Sequence, residues 1–136
     1  MTNIFIDTSA FFAALNPKDN HHNKAQSFLK KLENESRYQS VISNLIFMES
    51  VTLIRARLSI PLSIKFGEHL YQSTKIKLIY VTPEIEKQAW KIFTQYSDKQ
   101  FSFVDCTSFA IMKIMNINEA FTFDKHFEQF GFKIIL

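Results

Sequence analysis

Four carboxylates carry the chemistry that this sequence suggests: Asp7, Glu49, Asp105 and Asp124. Asp7 ends a short apolar run, Asn3-Ile4-Phe5-Ile6, and is followed by two hydroxyls, Thr8 and Ser9. Asp124 likewise follows Ala120-Phe121-Thr122-Phe123, and Asp105 stands in the first turn of a helix opened by Ser102. Glu49 falls among Leu45, Ile46 and Leu53 at helical spacing, on an apolar face where a carboxylate is costly to bury without a cation or donors. Strand ends and helix starts share one edge of a parallel α/β sheet, and ligands bind at that edge. Carboxylates converging there repel one another and raise each other's pKa values. A divalent cation relieves the repulsion, and all-oxygen ligation selects Mg²⁺ or Mn²⁺ over zinc. Such an ion activates water and stabilises charge on a phosphodiester under in-line attack.

Each acid also has a purely structural use. Asp7 is a favoured helix N-cap. Ser102-Phe103-Val104-Asp105 fits the capping box, and Asp124 suits a turn or a cap. Glu49 fits a half-buried face or a pair with Lys or Arg. Their joint placement is what favours the site.

The elements that must bring these residues together follow from periodicity and punctuation. Residues 3–6 read as a buried strand, too short for a helix, and Ala10 to Leu15 as a short buried helix stopped by Asn16-Pro17. Ala25, Phe28, Leu29 and Leu32 define an amphipathic helix with Lys24, Lys30 and Lys31 outward. Tyr38 to Ser43 reads as a strand, capped into a helix that runs to Leu58. Ser59-Ile60-Pro61 opens another helix to about Thr74, and Lys77 to Val81 is a strand. Thr82-Pro83-Glu84 combines a cap, a proline and an early acid at a helix start. A helix from Ser102 to about Met115 follows, then strands over 117–123 and 132–136. The order β-α-α-β-α-α-β-α-α-β-β predicts an α/β fold: a mostly parallel central sheet of four or five strands with helices on both faces.

Composition bounds the classes. A chain of 136 residues with 46% apolar content and fifteen Phe is read as a single domain, 1–136, with a substantial core. Two glycines, Gly67 and Gly131, cannot build a phosphate-cradling loop, and one cysteine, Cys106, excludes an internal disulfide or a multi-cysteine zinc site. The four histidines lack HExxH spacing. No bilayer-spanning run or signal pattern is present, so a cytoplasmic location is expected. The net charge of +3 is mildly basic, and the surface becomes more so if four acids share one ion, which suits a polyanionic partner.

Ile6-Asp7-Thr8-Ser9, Met48-Glu49, Ser102-Phe103-Val104-Asp105 and Thr122-Phe123-Asp124-Lys125-His126-Phe127, followed by Gly131-Phe132, resemble the PIN-domain family of metal-dependent ribonucleases along the whole chain. The likeness is greatest to the stand-alone VapC-type toxins of VapBC toxin–antitoxin pairs. It implies a PIN-like α/β/α sandwich that cleaves single-stranded or loop RNA, with Asp7, Glu49, Asp105 and Asp124 as the catalytic, metal-holding quartet for Mg²⁺ (or Mn²⁺). It also implies an RNA substrate, a cognate antitoxin protein and a homodimer. Thr8, Ser9, Ser102 and Thr122 stand beside the acids, and Asp98 is a further candidate for a supporting role. His126, Tyr71 and several Lys and Arg residues are candidates for RNA contact. Two other readings compete. A phosphatase of the haloacid dehalogenase type needs D-x-D after the first strand, and the third position here is Ser9. A catalytically silent PIN-like module that binds RNA or protein would use the same acids only as caps.

Overall fold

In the computed structural model, which describes residues 1–136, the strand β1 (Thr2–Ile6) is the centre of the sheet. Ile4, Phe5 and Ile6 are apolar in succession and all fully buried, as a strand covered on both faces requires. From β1 the chain passes through α1 (Thr8–Leu15) and α2 (His22–Asn34) to β2 (Tyr38–Ser43). It continues through α3 (Asn44–Arg57) and α4 (Ile60–Gln72) to β3 (Ile76–Ile79). It then returns by α5 (Pro83–Gln95) and α6 (Phe103–Ile114) to β4 (Glu119–Phe121), and by α7 (His126–Phe130) to β5 (Lys133–Ile134). The five strands lie in the order β3-β2-β1-β4-β5 and every pair is parallel.

That order has a direct consequence for function. The chain winds outward from β1 to β2 and β3, then crosses back to place β4 on the other side of β1. Winding therefore reverses between β1 and β4, and the crevice beyond their carboxyl ends is where open α/β sheets bind ligands. Asp7 leaves the end of β1, and Thr122 to Asp124 leave the end of β4. The four helices after β1 and β2 pack on one another, and α5 packs on α6, giving two helical layers around the sheet. Phenylalanine fills both: Phe11 meets Phe66 edge-on at 5.1 Å in one layer, and Phe109 meets Phe127 edge-on at 5.0 Å in the other.

Side-chain caps set most helix starts. Asp7, Ser43, Ser59, Thr82 and Ser102 each accept a backbone N–H from the first turn of the helix they precede. Three differences from the sequence reading occur near the end of the chain, the simplest being that the strand expected over 132–136 is only Lys133–Ile134. The strand expected over 117–123 shrinks to Glu119–Phe121 because both its ends are used otherwise. Asn116, at φ 56°, closes α6 in a Schellman motif, with the Ile117 N–H donating to Met112 O at 2.8 Å and the Asn116 N–H to Lys113 O at 3.2 Å. Thr122 turns its hydroxyl into the site instead of extending the ladder. Between the last two strands, where the sequence shows no periodic element, the structure has α7, and it is indispensable: β4 and β5 are parallel, so a hairpin cannot join them.

Gly131 ends α7 at φ 116°, a conformation that favours glycine. A Cβ there would meet nothing within 4 Å, so Gly131→Ala should cost only backbone strain, about 1 kcal/mol, measurable by urea denaturation. Gly131→Asn should cost less, since asparagine tolerates this region.

Candidate active site

Asp7, Glu49, Asp105 and Asp124 all line one cavity of about 610 Å³ at the sheet's carboxyl edge. Asp7 arrives from β1, Asp124 from just beyond β4, Asp105 from the first turn of α6 and Glu49 from α3. Thr8, Ser9, Ser102, Asp19, His21 and His126 are also in its wall, and no Lys or Arg is.

Asp7 is 5% exposed and is held from one side. Ser9 Oγ and Thr122 Oγ1 each donate to Asp7 Oδ2 at 2.9 Å, and the Ser9 N–H donates to the same oxygen at 3.4 Å. Each hydroxyl is itself fixed by the backbone after β4. Ser9 Oγ accepts the Phe123 N–H at 3.0 Å, and Thr122 Oγ1 accepts the Asp124 N–H at 2.9 Å. Loss of water around Asp7 pushes its pKa up to about 6; the Ser9 and Thr122 hydrogen bonds pull against this, and Asp105 and Asp124 add to it.

The other two aspartates follow the same pattern. Asp105 Oδ2 accepts the Ser102 N–H at 3.1 Å while Ser102 Oγ accepts the Asp105 N–H, completing the capping box. Burial raises the Asp105 pKa, opposed by the Ser102 N–H and assisted by Asp124. Asp124 Oδ1 accepts the His126 N–H at 2.9 Å. All these donors reach a single oxygen of each aspartate, and the other oxygen has no protein donor. Three fixed carboxylates, each with one unpaired oxygen around a common cavity, suit a hard cation.

His126 is the site member that sequence reasoning assigned elsewhere, as a possible base-stacking ring. Its Nδ1 lies 3.1 Å from Asp124 Oδ1 and 3.4 Å from Asp105 Oδ2. That nitrogen is buried, yet neither contact has the direction of a hydrogen bond. The signal available was the Asp124-Lys125-His126 spacing at a strand end, which returns the ring beside the acid only once α7 begins there.

Residues 4–133 match the PIN domain. The chain belongs to the PIN-domain family. Over 129 residues this PIN domain is 33% identical to the 23S rRNA-specific endonuclease VapC20 of Mycobacterium tuberculosis, covering 95% of each chain. The crystal structure of VapC20, a sarcin–ricin loop cleaving toxin, matches with a TM-score of 0.86 at 30% identity, again over 95% of each chain. A VapC ribonuclease of Archaeoglobus fulgidus is 26% identical over 123 residues, spanning 90% of this chain and 77% of its own. VapBC2 from Rickettsia felis, solved with promoter DNA, shares the fold at a TM-score of 0.72 and 11% identity, covering 98% of both chains.

Within this PIN domain the groups near enough to share one ion are Asp105, Asp124 and His126, whose ligand atoms lie within 4.8 Å of one another. Asp7 and Glu49 border the same cavity outside that close group. Glu49 is exposed, because the core-facing stripe of α3 is Ile46, Ser50 and Ile54 and Glu49 stands one position off it. The face that the sequence presents as apolar is therefore only half buried around Glu49. Asp98 does not line the cavity: it is 74% exposed and 3.5 Å from Lys99 Nζ. No helix is long and apolar enough to cross a membrane.

Thr122 joins both sides of the crevice, since its one hydroxyl donates to Asp7 and accepts from Asp124 N–H. Thr122→Val should leave that N–H without its partner, strip one of the three donors from Asp7 Oδ2 and cost about 1–3 kcal/mol of stability. It should also weaken divalent-metal binding by about 10–100-fold in calorimetric titration, while Thr122→Ser should retain most of both.

Proposed function

We propose that this PIN domain is an endoribonuclease dependent on Mg²⁺ or Mn²⁺, and that it is the toxin of a toxin–antitoxin pair. The observation that carries the reading is the set of one-sided aspartates. Asp7, Asp105 and Asp124 each commit one oxygen to the protein, leave the other without a protein donor, and line a cavity without Lys or Arg. A module that used these acids only as caps would gain nothing by collecting them where they destabilise one another.

In this reading Asp105 and Asp124 hold the ion, and Asp7 and Glu49, farther off along the same cavity, reach it directly or through water. A divalent cation held there would supply charge stabilisation for an RNA phosphodiester and lower the pKa of the attacking water. The chain's own part is positional. Ser9 and Thr122 fix Asp7, Ser102 fixes Asp105, and the exposed carboxylate of Glu49 is free to accept a proton from water. His126 beside Asp105 and Asp124 adds an imidazole nitrogen, which favours Mn²⁺ more than an all-oxygen set does.

The likeness to VapC20 supports 23S rRNA as the first substrate to try. The purified chain should cleave RNA with Mg²⁺ or Mn²⁺, leaving 5′-phosphate ends, and should stop with excess chelator. Replacing Mg²⁺ by Ca²⁺ should lower turnover at least tenfold, because the larger ion accepts looser geometry. Cleavage that persists in chelator would refute the metal assignment.

The VapBC likeness supports an antitoxin as protein partner. An apolar groove of about 600 Å³ between α1, α2 and α4, floored by Phe11, Leu29, Phe66 and Leu70 and edged by Lys30 and Lys65, is the surface we assign to it. A homodimer belongs to the same proposal, with the exposed Trp90 and Phe93 of α5 as the apolar surface it would cover.

A further inference from the structure

One wall of the acidic cavity is aromatic. Phe12, His21 and Phe123 line it, opposite in character to the carboxylates they adjoin. The rings of His21 and Phe123 lie parallel, 4.3 Å apart with 9° between their planes. His21 occupies the N-cap of α2, where Ser, Thr, Asp or Asn would satisfy a free backbone N–H, yet it makes no side-chain cap bond. Its backbone is pinned instead, with the His21 N–H donating to Asp19 Oδ1 at 2.8 Å. Phe123 is equally constrained, lying between Thr122, which holds Asp7, and Asp124, with its own N–H on Ser9 Oγ.

We infer that His21, stacked on Phe123, is a platform for a nucleobase of the RNA beside the scissile phosphate. The inference rests on the ribonuclease reading above. A flat, half-apolar pair at the lip of a metal-suited cavity matches the alternation of base and phosphate along a single strand. His21 is solvent-exposed, so a base can extend the stack outward without displacing core residues. Stacking of this kind tolerates any base, so the platform sets position and affinity and leaves sequence choice to other contacts. His21 is thus a positioning residue.

The test uses a fluorogenic single-stranded RNA of about ten nucleotides with Mn²⁺. His21→Ala should raise KM roughly tenfold, within the range expected for losing one stacked base, with a smaller change in kcat. His21→Trp should restore KM, and His21→Leu should not. Removing the base next to the cleaved bond should cost the wild type a similar factor and His21→Ala little. An unchanged KM in His21→Ala, or equal rescue by Leu and Trp, overturns the inference. Fluorescence anisotropy with the same RNA separates the two readings. If no RNA is cleaved, the ribonuclease reading fails. RNA binding that His21→Ala weakens and His21→Trp restores would still support the platform, and binding that ignores the ring would overturn it.

Discussion

Asp7→Asn should reduce metal-dependent RNA cleavage by at least two orders of magnitude while leaving the protein folded. Asparagine is as good an N-cap as aspartate, so the start of α1 is preserved. Its carbonyl oxygen can take the three donors now on Oδ2, from Ser9 Oγ, Thr122 Oγ1 and Ser9 N–H. What changes is the group presented to the cavity: an unpaired carboxylate oxygen becomes a neutral amide. If the site holds a divalent cation, affinity and turnover must both fall, since even groups that only support a ligand are commonly worth 10–100-fold. Single-turnover cleavage at saturating Mn²⁺, with calorimetry on the same preparation, separates lost binding from lost chemistry. Robust metal-dependent cleavage by Asp7→Asn would remove Asp7 from the site.

The same substitution should make the metal-free protein more stable at neutral pH. Burial holds the Asp7 pKa at about 6 in the folded chain, against an ordinary value of 3.8. Between these values the folded state binds more protons than the unfolded state, so stability falls as pH rises. Below the lower value both states are protonated and nothing is lost; above about 6 the full penalty applies, on the order of 2–3 kcal/mol. Asparagine carries no such charge. Thermal melts in chelator should therefore place Asp7→Asn roughly 5–10 °C above wild type at pH 7.5, with the gap closing as pH is lowered toward 4. Saturating Mg²⁺ or Mn²⁺ should reverse the order, because only the wild type gains the binding free energy. A metal-free Asp7→Asn protein that melts below wild type at pH 7.5 would show that the carboxylate is a structural asset instead of a burden carried for the site.

The acids illustrate why caps and catalytic groups are hard to tell apart in a sequence of this class. Asp7 does cap α1, and Asp105 does complete the capping box of α6. Neither role excludes the other. Helix N-termini and strand carboxyl ends occupy one edge of a parallel sheet, so residues selected to satisfy free N–H groups are already at the ligand crevice. A cap uses one carboxylate oxygen, and the second oxygen decides whether the residue also serves a site. Which way that oxygen faces is a tertiary property.

What the sequence by itself determined is whatever depends on neighbours a few residues apart. The extent of β2 over Tyr38–Ser43, the cap-and-proline start of α5 and the Ser102–Asp105 box are all set by local hydrogen bonds and side-chain periodicity. Tertiary structure decided what depends on strand order. Thr122 reaches Asp7 across 115 residues of chain only because β4 is laid beside β1. His126 joins Asp105 only because α7, too short to leave a periodic signal, turns it back over α6. Glu49 emerges at the rim because the stripe that α3 buries lies one residue to its side. Local bonds are satisfied in almost any arrangement of the elements, whereas these contacts exist in just one.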